Sequence, residues 1–228
     1  MSRSVGVFVR GLVRGTGELL VTAGALVLLF AVYLVVWSDV RTAAAQSDLR
    51  ADFAAQTAAV DRDATGTPAK IEPIPGQGIA EMTIPRLGED WRWVVVEGVV
   101  DADIAKGPGH FPGTAQPGQL GNFAVAGHRA THGEPFAYLD AVVPGDHIVV
   151  RTAAGWSVYT VTLTQIVPPT RTDLIDPVPG QPDGVVNQAL ITLVTCHPRW
   201  GSSERLIVTG LLSESRSATQ GPPTIEGF

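Results

Sequence analysis

Cysteine is almost absent from this chain, because Cys196 is the single cysteine among 228 residues. One cysteine excludes an intramolecular disulfide framework and any metal site built from several cysteines. Lysine is nearly as rare, with only Lys70 and Lys106, and no basic residues cluster beyond the N-terminus. At a formal net charge of -6, the chain lacks the positive face that nucleic-acid binding requires. The composition therefore predicts no nucleic-acid partner.

Charge itself is missing from Leu19 to Trp37, which reads LLVTAGALVLLFAVYLVVW. Nineteen apolar residues are enough to cross a hydrocarbon core about 30 Å thick. Three arginines and no acidic residue lie in the first 17 residues, whereas Arg41 after the span is balanced by Asp39. The positive-inside rule then predicts a cytoplasmic segment 1–18, a transmembrane helix 19–37 and an extracellular remainder.

A cleavable signal peptide is the alternative interpretation of this N-terminus. Its apolar region has only about 7 to 15 residues and ends in a cleavage site of small residues. Here the apolar run is longer and ends in Trp37-Ser38-Asp39, although the alanines at 43–45 leave late cleavage open.

Residues 38–78 differ in composition from the rest of the chain and are predicted to form a stalk or linker. Ser47 to Val60 is compatible with a helix, and Thr65 to Gly78 contains three prolines and three glycines. Such a composition is typical of an extended spacer. The expected role is to hold a compact domain away from the membrane.

A compact domain is predicted from 79 to 212, followed by a disordered tail at 213–228. Short β-type runs separated by Gly-Pro turns predict an all-β barrel or sandwich. The predicted strands are Ile79–Ile84, Trp91–Val100, Gly121–Ala126, His147–Arg151, Ser157–Val167, Leu190–Cys196 and Arg205–Leu212. Asp101–Lys106 and Pro135–Ala141 are candidate short helices, and Thr170–Gln188 is a long loop.

Cys196 ends a predicted buried strand and is the candidate nucleophile. A thiol attacks well only as a thiolate, which a nearby imidazole usually helps to form. His128 follows a strand that ends in Gly127, so it lies at a strand terminus, where such folds expose functional groups. Taken alone, Cys196 is equally compatible with a small buried core residue, and His128 with a surface loop histidine.

Two other histidines are poorer candidates. His132 makes a His-x-x-x-His pair with His128, but Gly127 and Gly133 argue against a helix and no glutamate completes a zinc motif. His197 is adjacent to Cys196, and neighbouring strand residues point to opposite faces. We therefore expect no metal, and no direct pairing of His197 with the thiol.

Arg205 begins the strand after the cysteine and is the candidate oxyanion group. Acyl transfer needs backbone N–H groups or a cationic donor at the developing negative charge. The residues alone thus indicate a Cys196, His128 and Arg205 site outside the membrane.

Two segments of the chain resemble the sortase family. The first, Gly107 to Asp140 with the following Pro144-Gly145-Asp146, resembles the region of the family's catalytic histidine. The second, Thr192-Leu193-Val194-Thr195-Cys196 followed by Arg205, resembles the family's cysteine signature. The Cys-His-Pro-Arg continuation and the single N-terminal anchor are most similar to class E sortases of actinobacteria. This resemblance covers about residues 79–212.

The resemblance implies a closed eight-stranded barrel with short helices and a membrane-anchored transpeptidase that needs no cofactor. By it, Cys196 cleaves a C-terminal sorting signal of a secreted protein between Thr and Gly, giving a thioacyl intermediate. An amine of a lipid II-type cell-wall precursor resolves that intermediate. His128 acts as acid and then as base, Arg205 stabilises the oxyanion or holds the substrate backbone, and Thr195 and Phe111 contact the substrate.

Two alternatives remain open from the sequence. A pilus-polymerising sortase would use a lysine of a pilin as the amine and often carries a lid loop, which is not identifiable here. A non-catalytic surface β-domain would keep Cys196 buried and inert. The Ser-His-Gly-Cys motif of the L,D-transpeptidases is absent.

Overall fold

A computed structural model of the chain describes residues 2–60 and 73–225. The chain divides into two units, Met1–Ser38 and Asp39–Phe228. The first unit is the beginning of one long helix, α1, which runs from Ser2 to Val60. Within α1, Arg10–Ala58 is long and apolar enough to cross a membrane, with a mean hydropathy of 2.8 over 18 residues. Its apolar side chains, such as Leu19 and Phe30, are exposed.

The second unit contains a closed barrel of eight strands. In chain order its elements are β1 Gly78–Thr83, β2 Arg92–Glu97, α2 Asp101–Ile104, β3 Gly109–His110, β4 Gly121–Ala126, β5 His147–Thr152, β6 Gly155–Val167, β7 Ala189–His197 and β8 Glu204–Ser217. Around the barrel the strands follow one another in the order β1-β2-β3-β4-β7-β8-β6-β5. Single 3₁₀ turns lie at Pro85–Leu87, Leu139–Ala141, Thr172–Ile175 and Ala218–Gln220. The predicted all-β, eight-stranded closed barrel is confirmed.

The barrel interior is filled by alternate residues of the strands, as a period of two requires. Phe123 and Val125 of β4, Ile191 and Leu193 of β7, and Val208 of β8 are fully buried in one core. Removing this much apolar surface from water is the main driving force for closing the barrel. The intervening residues of the same strands face outward, and they form the surface on which the candidate site lies.

The end of α1 corrects the predicted stalk, because its residues 39–60 belong to the barrel unit. One face of this segment is buried at Thr42, Gln46, Leu49, Phe53 and Thr57, a spacing that follows the helical repeat. The Gln46 amide exchanges two hydrogen bonds with the Val94 backbone, at 2.9 and 3.0 Å, as a neighbouring strand would. The sequence suggested a helix but not this packing. Of the predicted extended spacer, Thr65 to Gly78, residues 65–72 lie outside the described residues.

The C-terminal boundary is a second correction. The predicted disordered tail begins at Ser213, but β8 continues to Ser217. Its last residues pair with β6, with Trp156 opposite Arg216 and Gly155 opposite Ser217. A capping box between Ser217 and Gln220 closes the next turn. Polar residues therefore form a strand here because β6 is long enough to offer them backbone partners.

Two smaller predictions also change. Strand β3 was missed because it has only two residues, paired in parallel with β2 and antiparallel with β4. The helix predicted over Pro135–Ala141 is a single 3₁₀ turn at Leu139–Ala141.

Candidate active site

Cys196 lies on β7, between two paired strands. Its Cα is directly opposite Arg205 on the antiparallel strand β8. The alternate residues Ile191, Leu193 and Thr195 are buried inside, so Cys196 points to the outer face of the barrel. The thiol is free and partly exposed. This accessibility does not fit the alternative in which Cys196 is a buried and inert core residue.

His128 lies level with Cys196 on the other side. Strands β4 and β7 are parallel, with Ala126 in register with Val194. Two residues further along the chain from this pair are His128, just beyond the end of β4, and Cys196, still within β7. The pairing continues beyond β4, because Gly127 N donates to Val194 O at 3.1 Å. The three predicted site residues therefore lie at one level of the barrel, with Cys196 on β7, Arg205 on β8 and His128 just beyond β4.

Thr195 holds the chain segment that leads to His128 from the inner side of the barrel. Its hydroxyl donates to the carbonyl of Gly127 at 2.7 Å, and Thr195 is 2% exposed. The residue before the cysteine is thus bonded to the residue before the histidine. This geometry favours a role in positioning over the predicted contact with substrate.

Gly127 is required by the packing beneath the histidine. A Cβ at this position would lie 2.5 Å from the ring of Phe136, which is fully buried. Phe136 N donates to His128 O at 3.0 Å, so the chain folds back onto the backbone of His128. The Gly-His pair of the sequence motif therefore has a steric reason.

The environment of His128 favours the neutral form of its imidazole. Burial lowers the pKa of His128 below the ordinary histidine value, and repulsion from His132 lowers it further, against a smaller opposing effect of Asp101. The rings of His128 and His132 stack with centroids 4.5 Å apart. A neutral imidazole can accept the thiol proton.

Arg205 uses one end of its guanidinium to order the loop between β7 and β8. Its Nη1 donates to Ser202 O at 2.9 Å and to Glu204 O at 2.8 Å. The rest of the planar group offers further donors in a fixed geometry. The side chain lies on the same face as Cys196, since directly opposed residues of antiparallel strands share a face.

Phe111 continues the edge of the barrel next to β4. Its N–H donates to Ala124 O at 3.0 Å, which extends the β3–β4 pairing by one residue. Ala124 is an outward position of β4, in register with Thr192 of β7. Phe111 is partly buried. It therefore lies beside the outer face that carries the site.

The loop Thr170–Gln188 covers part of this outer face. Leu174 packs against Val167, Ile207 and Val194, and the Asn122 amide donates to Leu174 O and Asp176 O at 3.1 and 3.0 Å. The loop is thus anchored on the outward residues of β4 and β7, below the thiol.

Several ordered contacts around the site were not predicted from the sequence. Asp39, the first residue of α1 that belongs to the barrel unit, accepts a hydrogen bond of 2.8 Å from Gly133 N, and Gly133 adjoins His132. His110 is fully buried and bonds Glu97 at 2.7 Å. Contacts between residues so distant in sequence follow from tertiary packing, which no local pattern reveals. Within residues 2–60 and 73–225, no group of three His, Cys, Asp or Glu side chains could hold a metal ion.

Comparison with known proteins decides the family. The family model of the sortase domain matches residues 82–213, which is more than half of the chain. The chain belongs to the sortase family. It is 37% identical over 222 residues to Sortase SrtE1 of Streptomyces coelicolor, a match that covers 92% of this chain and 60% of that relative. The chain thus spans about three fifths of the length of SrtE1.

Solved sortase structures share the barrel. Sortase E from Streptomyces avermitilis is 39% identical with a TM-score of 0.60, covering 68% of this chain and 98% of the other. Sortase E1 from Streptomyces coelicolor, solved with a tripeptide in the active site, is 38% identical with a TM-score of 0.60, covering 67% and 98%. The resemblance to class E sortases drawn from the motifs is confirmed.

Proposed function

We propose that this sortase is a cysteine transpeptidase that cleaves the C-terminal sorting signal of a secreted protein between Thr and Gly. It then joins the new acyl end to an amine of a cell-wall precursor. One observation carries this proposal: a partly exposed thiol lies opposite a guanidinium on one neighbouring strand and level with an imidazole just beyond the end of the other, and burial lowers the pKa of that imidazole. The tripeptide in the active site of the related Sortase E1 supports a peptide as the substrate class.

In the first half-reaction, the sulfur of Cys196 bonds to the Thr carbonyl carbon. His128 takes the thiol proton and passes it to the Gly nitrogen as the C–N bond breaks, which releases the C-terminal remainder with a new amino group. The product is a thioester between Cys196 and the substrate.

In the second half-reaction, the incoming amine bonds to the same carbon. His128 takes a proton from that amine and returns it to the departing sulfur, so the thiol and a new amide bond result. In both half-reactions the carbonyl oxygen becomes negatively charged, and Arg205 donates a hydrogen bond to it.

The secondary residues follow from their positions. Thr195, buried and bonded to Gly127 O, holds the histidine segment in register. Phe111, beside the outward face of β4, borders the channel in which the sorting-signal peptide lies. The signal expected for a class E relative is Leu-Ala-x-Thr-Gly, with Leu-Pro-x-Thr-Gly as the competing form.

The proposed topology places residues 1–18 in the cytoplasm, residues 19–37 across the membrane and the barrel outside. The helix found there is long and apolar enough for this, and the arginines of the first 17 residues favour this direction. The expected partners are secreted proteins with a sorting signal and a lipid II-type amine, both of which are found outside the membrane.

The test is covalent capture of the acyl group. The full-length protein in detergent micelles is incubated with a peptide containing either signal, with and without triglycine, and its intact mass is measured. We expect an adduct on Cys196 equal to the peptide up to Thr, which triglycine discharges into a ligated product. Failure of both peptides to cleave, or an adduct that persists in Cys196→Ala, would contradict the proposal.

A further inference from the structure

The residues that directly follow the two catalytic candidates in the sequence contact each other. Arg129 follows His128, and His197 follows Cys196. Arg129 Nη1 lies 2.6 Å from His197 Nδ1. This bond joins the two segments directly beyond the two reacting side chains, on the opposite face of β7 from the thiol.

Arg129 is built into the fold and is not a solvated surface arginine. It is 4% exposed, and its Nη2 lies 2.9 Å from Asp140 Oδ2. Its Nε donates to Ala137 O at 3.5 Å. All three nitrogens of the guanidinium therefore have partners, and the planar group has little freedom to turn.

The chemistry of the contact determines which of the two side chains accepts the hydrogen bond. A guanidinium only donates hydrogen bonds, so Nδ1 of His197 must be the acceptor. A side chain at 197 can replace this function only if it presents an acceptor at the position of Nδ1.

A second arginine connects the same two loops. Arg199 forms an ion pair with Glu134 of the histidine segment and lies 4.9 Å over the ring of Tyr138. Arg199 is more exposed than Arg129, so this connection is the weaker of the two. Its presence shows that the β7–β8 loop and the segment after His128 are held together at more than one point.

We propose that Arg129 and His197 are a positioning pair that keeps His128 and Cys196 aligned with each other during acyl transfer. The proposal rests on the function proposed above for Cys196 and His128. Neither residue contacts the reacting atoms. The pair acts through the backbone, because each partner is one peptide bond away from a residue that does.

The first experiment compares variants of His197 in the full-length protein in detergent micelles. His197→Leu removes the acceptor, whereas His197→Asn retains an oxygen near the position of Nδ1. We expect His197→Leu to lower kcat for the signal peptide roughly 10- to 100-fold with KM within about threefold, as misalignment of reacting groups does. His197→Asn should keep kcat within about threefold of the parent.

A cycle with Arg129→Met tests whether the two residues act as one unit. The double variant should be no slower than the slower single variant, because removing either partner already breaks the same contact. Arg86→Met, which removes a different arginine–aspartate pair, with Asp146, should leave kcat unchanged. Each rate is normalised to the fraction of folded protein, which is measured as the fraction that unfolds cooperatively on heating.

Alkylation of Cys196 by iodoacetamide at pH 7 gives a readout that needs no peptide substrate. It should slow about tenfold in His197→Leu and recover in His197→Asn. If the alkylation rates of the parent and the two variants follow this pattern but the parent cleaves no peptide, the proposed function fails and the positioning pair stands. Parent-like kcat and alkylation in His197→Leu, equal losses in His197→Leu and His197→Asn, or multiplicative losses in the double variant would each overturn the pair. If Arg129→Met does not fold, the comparison of the two His197 variants decides alone.

Discussion

Cys196 and His128 lie at the same level of the barrel, but different interactions hold them there. Cys196 is within β7, which is hydrogen-bonded to β4 on one side and β8 on the other. His128 lies beyond the end of β4, before a turn in which Thr131, His132 and Glu134 adopt positive φ angles. The thiol is thus positioned by backbone pairing, whereas the segment that carries the imidazole depends on side-chain contacts as well as on two backbone bonds.

This difference matters for how the site responds to change. Backbone pairing on both sides survives most substitutions, because it does not depend on which side chain is present. Side-chain contacts such as those of Thr195 and Asp39 can be removed one at a time. Substitution of the Cys196 or Arg205 side chain should therefore affect chemistry alone, whereas removal of a contact that supports His128 should affect geometry as well.

The largest effect is expected from Arg205→Met. Loss of one oxyanion donor typically costs 10²- to 10³-fold in kcat, and the strand register that holds position 205 does not need the guanidinium. Peptide ligation rates and thermal unfolding measure the two quantities separately. Arg216→Met, on the same strand β8, is the matched control and should keep full activity. A loss of less than about threefold in Arg205→Met would remove this residue from the chemistry.

Thr195→Val is expected to have the next largest effect, and it acts on the histidine side. It removes the bond to Gly127 O, leaves a buried carbonyl unpaired, and should lower stability by about 1–3 kcal/mol. We expect kcat to fall roughly tenfold because His128 loses its alignment. Thr195→Ser keeps the hydroxyl and should restore most of the activity. Equal activity in the Val and Ser variants would mean that the hydroxyl does not position His128.

Asp39→Ala tests the outermost support of the histidine segment. It removes the acceptor of Gly133 N, and we expect kcat to fall about two- to fivefold, consistent with one partly exposed hydrogen bond of about 1 kcal/mol. Asp48→Ala, an exposed position on the same helix, is the control. The result that contradicts the comparison is an equal loss in both variants.

The smallest expected effect is a pair of opposite shifts in the acid limb of the rate profile. His132 lowers the pKa of His128 and Asp101 raises it. Because His128 must be neutral to accept the thiol proton, the acid limb of kcat/KM follows its pKa. His132→Gln should move that limb to higher pH, and Asp101→Asn should move it to lower pH. Shifts in the same direction would disprove this electrostatic account.

The sequence predicted the barrel and the level of Cys196 and Arg205 well, because both depend on local patterns. Alternating apolar residues identify strands β4, β7 and β8, and a short connection forces the last two to pair. The sequence could not predict which residues outside the strands support His128. Those contacts join Asp39 to Gly133 and Arg129 to His197, 94 and 68 positions apart.

The boundaries were predicted least well, for a related reason. Composition alone marks the segment after the membrane helix as a spacer, but Gln46 supplies a side-chain amide to the open backbone of Val94. Likewise, the polar residues after Leu212 extend β8 because the long strand β6 is available beside them. In both places a distant partner overrides the local propensity.

The most direct test of the central claim is the rate at which iodoacetamide alkylates Cys196 at pH 7 in the parent and in His128→Gln. If the imidazole lies level with the thiol and accepts its proton, the parent should react at least tenfold faster than His128→Gln, with the same thermal stability in both. Equal rates in two folded proteins would contradict the account, because thiol and imidazole would then not act together.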